Sequence, residues 1–116
     1  MTARRLASNE EYRLVRREGS RYVDDLLVLY VRANGLQSTR VGISVARRVG
    51  GAVKRNRIRR RVQEAYRGLA RALPPGVDIM VVPRAGAAEA PFRVLEASLR
   101  GLFAQAGSSP TPARDG

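Results

Sequence analysis

Apolar and polar positions change period along this chain, and each change marks an element. Ser8-Asn9-Glu10-Glu11 reads as a helix start, because Ser8 can cap and Glu11, three residues on, completes a capping box. Leu14 and Val15, with Tyr12 nearby, give that first helix a modest apolar face up to Gly19. Leu26-Leu27-Val28-Leu29-Tyr30-Val31 predicts a strand apolar on both faces, with Asn34-Gly35 as the turn after it. Arg40 to Ala46 predicts a second strand. Val41, Ile43 and Val45 line one face of it, and Gly42, Ser44 and Ala46 leave the other low and open. A face paved with small residues is either covered closely by a helix or left free for a ligand, and the pattern does not choose between them.

After Gly50-Gly51 the period becomes helical from Ala52 to Ala72. Ile58, Val62, Ala65, Tyr66, Leu69 and Leu73 form a core stripe, with Asn56, Arg59, Arg60, Gln63 and Arg67 on the opposite side. Pro74-Pro75-Gly76 is expected to end this helix. Val77 to Val82 predicts a further strand, and Ala90 to Ala106 a last helix with Phe92, Leu95, Leu99, Leu102 and Phe103 facing the core. Residues 107–116 read as a disordered tail after a single domain over 1–106. The order implies a sheet of about four strands with helices packed on it. If the strands flanking the long helix lie parallel in one sheet, the general rule favours a right-handed crossover.

Charge changes the picture at one place. Residues 47–71 carry ten of the 22 basic side chains and a single acidic one, Glu64, so this window holds +9 of the chain's formal +12. An isoelectric point near 11.6 points to an anionic partner, nucleic acid or an acidic membrane surface. Arginine outnumbers lysine 21 to 1. A high-GC genome would produce that bias by itself, but guanidinium forks suit phosphate and base edges whatever their origin. A merely solvated helix face normally mixes signs. Here Arg55–Arg59 and Arg57–Arg61 are like-charged i,i+4 pairs, and Glu64 alone can relieve Arg60 and Arg61. Membrane docking would want bulky apolar anchors at the polar boundary, whereas this stripe is needed for the sheet. A DNA-reading helix would want a three-helix context. RNA bound through phosphates and 2′-hydroxyls fits best.

Cysteine and histidine are both absent, which removes disulfides, thiolate nucleophiles, imidazole bases and the usual zinc ligands. The acidic residues are few and scattered, so neither a carboxylate-held metal nor an acid–base pair can be assembled from pattern. Gly50-Gly51-Ala52-Val53-Lys54 lacks the spacing of a phosphate loop. No catalytic residue is expected. No apolar run approaches a membrane span and no signal-peptide core follows the basic N-terminus, so a cytoplasmic protein is the expectation.

Arg55-Asn56-Arg57-Ile58-Arg59-Arg60, preceded by Val41-Gly42-Ile43-Ser44-Val45-Ala46-Arg47-Arg48-Val49-Gly50 and Ala52-Val53, resembles the signature of the bacterial ribonuclease P protein family. The similarity runs over about residues 4–105, through Asn9-Glu10-Glu11-Tyr12 and Val28-Leu29-Tyr30 to the last helix. The resemblance implies an α/β sandwich of order αβββαβα, with a further short strand at Ser20–Val23 and a left-handed βαβ crossover, against the general rule. It implies a subunit that joins a catalytic RNA and helps remove the 5′ leader of precursor tRNA. The chemistry would lie in the RNA, and Mg²⁺ would be bound mainly there. By position, Arg47, Arg48, Lys54, Arg55, Asn56, Arg57, Arg59, Arg60 and Arg61 are expected to face the catalytic RNA. Tyr12, Arg13, Arg16, Tyr30 and Ser44 are expected at the leader, where Arg16 stands at a position often aromatic in the family. Tyr30 also reads, less favourably, as a strand aromatic packed in the core. The alternative is a structural RNA-binding protein of ribosomal type.

Overall fold

The computed structural model describes residues 4–6, 8–69, 73 and 75–108. Its elements are β1 (Arg4–Arg5), α1 (Asn9–Glu18), β2 (Ser20–Val23), β3 (Leu27–Ala33), β4 (Arg40–Ile43), α2 (Ala52–Arg67), β5 (Val77–Pro83) and α3 (Phe92–Ser108). Short 3₁₀ turns at Arg47–Val49 and Ala85–Ala88 precede α2 and α3. This is the expected αβββαβα order with one addition, the two-residue β1, which pairs parallel to β4. The sheet order is β1-β4-β5-β3-β2. β4 and β5 are parallel neighbours, so α2 is the crossover between them, and β3 runs antiparallel to both β5 and β2.

Alternation along the strands assigns their two faces. Leu27, Leu29, Val41, Val45, Ile79 and Val81 pack with Ile58, Val62, Ala65 and Leu69 of α2 and its following turn. Leu95, Leu99, Leu102 and Phe103 of α3 complete the same main core. The predicted stripe of α2 is therefore the buried one, with Tyr66 and Leu73 partly buried beside it. On the other face lies a smaller cluster of Leu6, Val15 and Met80, flanked by Tyr12, Tyr30 and Val82, under α1. Helices thus cover both faces, one of them by α1 alone.

Ser8 caps α1 as its sequence predicts: the Glu11 amide donates to Ser8 Oγ (3.1 Å) and the Ser8 amide to Glu11 Oε1 (3.2 Å). Several boundaries differ from the sequence reading. β3 begins at Leu27 and runs to Ala33, and Gly35 then takes a left-handed turn conformation (φ 74°). β4 ends at Ile43 instead of Ala46, though the Ser44 amide still donates to the Val81 carbonyl (2.9 Å). α2 stops at Arg67 with Gly68 as its cap, well before Pro74-Pro75-Gly76. Residues 70–72 and 74, part of the predicted helix end, lie outside the described residues. Phe92 is 40% exposed and not in the core, because α3 begins there and residues 92–94 are all exposed, burial starting at Leu95. Gly107 and Ser108 belong to α3, and the rest of the expected tail, 109–116, lies outside the described residues.

Candidate RNA interface

The charged end of α2 is built with nothing acidic in it. Its N-cap is Gly51, which makes no side-chain cap, and no Asp or Glu occupies its first turn. Free amide groups and the positive helix end therefore share one place with Lys54, Arg55 and Arg57. Arg47, Arg48, Asn56, Arg57 and Arg60 are exposed, and Lys54, Arg55 and Arg59 are half-buried. Arg55 Nε donates to the Gly50 carbonyl (3.1 Å), and Arg59 Nη1 to Asn56 Oδ1 (3.0 Å). Asn56 thus orients a neighbouring guanidinium. Among the described residues, no ion pair joins any cation of 47–61 to a carboxylate.

Arg61 is placed differently from the rest of its cluster. Instead of pairing with Glu64, its guanidinium donates to the Ala87 (3.2 Å), Ala88 (2.8 Å) and Ala90 carbonyls. It ties α2 to the 3₁₀ turn before α3, so its fork is already committed within the fold.

Strand register defines the second surface. Residues paired across neighbouring strands share a face, which gives three rows on the α1 side. Arg40, Asp78 and Arg32 make the first, Gly42, Met80, Tyr30 and Arg21 the second, and Val82, Val28 and Val23 the third. Ser44, two residues beyond Gly42 and just past the end of β4, extends the third row. α1 crosses the strands above the first two rows. At its first turn Glu11 Oε2 accepts from Arg40 Nη1 (2.8 Å), and at its last Glu18 Oε1 accepts from Arg32 Nε (3.0 Å). From Glu11 to Glu18 an α-helix rises about 10.5 Å. That matches the roughly 9.6 Å from β4 across β5 to β3.

One helical turn apart on α1, Tyr12 sits over Gly42 at one end of the second row and Arg16 over Tyr30 within it. A Cβ built on Gly42 would lie 2.4–2.6 Å from the Tyr12 ring and hydroxyl. The small-residue face is therefore covered closely at Gly42, by Tyr12. Arg16 Cζ lies 5.6 Å from the centroid of the Tyr30 ring, so a cation–π contact occupies the place of a second aromatic. Tyr30 is half-buried, part of the small cluster and part of the border. Beyond this edge the third row is only partly covered: Val82 and Ser44 are half-buried and Val23 is 38% exposed. Arg13 is exposed and takes no part in the small cluster. The result is a shallow apolar floor bordered by Tyr12, Arg16, Tyr30 and Arg21.

Arg21, Arg40, Asp78 and the valine floor carry no distinguishing pattern in the sequence. The one signal is Asp78, a carboxylate inside the apolar run Val77 to Val82; Arg21 joins Tyr30 only through the β2–β3 register. No group of three or more His, Cys, Asp or Glu side chains is placed to hold a metal ion among the described residues. No helix among them is long and apolar enough to cross a membrane.

An unneutralised arginine helix on one face of the sheet, with a half-open, aromatic-edged surface on the other, defines a class, the cationic α/β proteins that bind RNA. Residues 1–107 match the Ribonuclease P family, and the chain belongs to that family. It is 42% identical to the ribonuclease P protein component of Roseiflexus castenholzii over 97% of this chain and 98% of that one. It is 36% identical to that of Clostridioides difficile over 84% and 86%. The ribonuclease P protein of Thermotoga maritima superposes with a TM-score of 0.78 at 31% identity, covering 85% of this chain and 94% of that one. That of Staphylococcus aureus gives 0.78 at 26%, covering 90% and 96%. These neighbours share the fold expected from the sequence.

Proposed function

We propose that this chain is the protein component of ribonuclease P, an endoribonuclease that matures tRNA 5′ ends. In this reading the exposed cations at the start of α2 bind the catalytic RNA. Arg47, Arg48, Lys54, Arg55, Arg57, Arg59 and Arg60 meet phosphates, and Asn56 holds Arg59 in place. The sheet cleft takes the single-stranded 5′ leader of precursor tRNA. Tyr12, with the Arg16–Tyr30 stack, offers sequence-tolerant platforms for bases. Arg13 and Ser44 add polar contacts at the rim and floor.

The sequence holds no histidine or cysteine, and among the described residues no group of three or more carboxylates is placed to hold a metal ion. In this reading hydrolysis of the phosphodiester belongs to the RNA, with Mg²⁺ bound mainly there. The protein raises the local concentration of substrate and screens the charge of two RNA chains brought together. The observation that carries this reading is the pairing of two distinct surfaces on one small domain. A structural protein of ribosomal type has no need of the bordered cleft, and family membership disfavours that alternative.

The test is cleavage of a precursor tRNA by a bacterial ribonuclease P RNA at low Mg²⁺. Adding the protein should restore cleavage at the mature 5′ end. Absence of stimulation, where another bacterial ribonuclease P protein stimulates, would overturn the reading.

A further inference from the structure

The small cluster beneath α1 poses a mechanical problem. Val15 is the one α1 side chain that is fully buried there. One apolar side chain leaves a ten-residue helix free to roll and slide on a sheet. Tyr12 also touches the sheet, but it is itself at the border of the cleft. Something polar has to set the position of α1.

That element is a charged clamp of four side chains. Asp78, buried on β5, accepts from Arg40 Nε at Oδ1 and from Arg40 Nη2 at Oδ2, both 2.7 Å, a bidentate fork. Its Oδ1 also accepts from Asn34 Nδ2 (2.9 Å), whose amide reaches the Ser38 carbonyl as well (3.1 Å). The remaining arm of the guanidinium, Nη1, reaches Glu11 of α1 (2.8 Å). Arg40 thus has its fork locked into the sheet and its free arm on the helix. Hydrogen bonding to Asp78 raises the Arg40 pKa, against the opposing effect of burial. Only a planar, multiply donating cation satisfies both carboxylates at once.

Sequence adjacency connects the clamp to the cleft. Glu11 directly precedes Tyr12, and Arg40 stands two residues before Gly42 on the same strand face. The ion pair and the Tyr12–Gly42 contact therefore occupy successive rows of the sheet. The Arg32–Glu18 pair holds the far end of α1, where Arg16 covers Tyr30. We infer that Arg40, acting through Glu11, is a positioning residue that sets Tyr12 and Arg16 for the leader; this rests on the leader reading above.

Arg40→Ala would strand the buried Asp78 and is expected to compromise folding. Glu11→Gln separates position from stability. It leaves the Arg40–Asp78 fork intact, and glutamine still closes a capping box at that helix position. Ser8→Ala is the matched control, since it removes the cap and leaves the clamp. The holoenzyme, reconstituted with a bacterial ribonuclease P RNA, is assayed for affinity toward precursor and mature tRNA. Glu11→Gln should lower the precursor-over-mature preference roughly fivefold, as a base-stacking platform is displaced. Affinity for the catalytic RNA and kcat at saturating precursor should stay at wild-type values. Arg40→Lys, which cannot fork, should do the same more severely. An unchanged preference in Glu11→Gln would overturn the inference. So would an equal loss in Ser8→Ala, which would assign the effect to helix stability alone. Wild-type protein showing no precursor preference would instead remove the leader reading itself.

Discussion

Arginine performs at least three different jobs in this chain, and only its surroundings distinguish them. Arg57 and Arg60 are exposed with no carboxylate partner among the described residues, Arg61 is spent on three carbonyls, and Arg40 is a fork between two carboxylates. Their substitutions should separate accordingly. Arg57→Ala and Arg60→Ala should each weaken binding to the catalytic RNA and reduce its salt slope by about 0.7–0.9, with little change in thermal stability. Arg61→Ala should lower stability by about 1–3 kcal/mol, because it leaves carbonyls without their charged donor. Its salt slope should stay near wild type, as a titration of binding against salt would show. Tyr12→Ala belongs to a different surface. It should weaken precursor tRNA binding by about 1–3 kcal/mol and leave mature tRNA nearly unaffected. Equal losses on both substrates would remove Tyr12 from the leader site.

At the scale of the element, α2 runs against the usual rules of helix ends. It opens with no side-chain cap and no acid, and its cations crowd the end where the macrodipole is already positive. A helix selected only for stability would place an acid there. The space for one exists, since a side chain at Gly51 would meet no atom within 4 Å. Gly51→Asp is therefore expected to raise stability by a few tenths of a kcal/mol, as aspartate replaces glycine at the N-cap. The same change should lower affinity for the catalytic RNA, because it puts a carboxylate beside the cations. Melting and RNA binding would then move in opposite directions; a parallel change in both would argue against α2 as the docking element.

On the scale of the whole molecule, the chain keeps its two proposed RNA surfaces apart by assigning them to different layers. α2 lies on the main-core face of the sheet, and α1 with the cleft on the other. Arginines occur on both, but the cluster around α2 carries most of the net charge. Binding to the catalytic RNA should therefore weaken steeply with salt, by roughly 0.7–0.9 in logarithmic slope per phosphate neutralised. The proposed leader contact, which would rest more on stacking, should respond less. Measuring both interactions across one salt series tests that division.

Much of this architecture is legible in the order of residues alone. Apolar periods locate α1, β3, β4, α2, β5 and α3, and the Ser8–Glu11 capping box and the α2 stripe from Ile58 to Leu69 sit where those periods put them. Local signals carry such features, because capping and amphipathicity depend on neighbours within a few residues. Boundaries set by tertiary contacts are less legible: α2 ends at Arg67 and not at its prolines, and Phe92 is exposed with the rest of the first residues of α3, burial starting only at Leu95. The two residues of β1 have no period at all.

The arginine excess around α2 and the absence of histidine and cysteine belong to the sequence alone. They limit the chemistry whatever the fold. Which arginine meets solvent, carbonyl or carboxylate is decided only by tertiary structure. Period two tells a strand residue which face it occupies, but not which strand lies beside it. Asp78 and Arg40 are 38 positions apart, and Asp78 and Asn34 are 44 apart. They meet because β5 lies between β4 and β3 in one register. That register also brings Glu11 to Arg40, Tyr12 to Gly42 and Arg16 to Tyr30, and so turns an apolar sheet face into a bordered cleft.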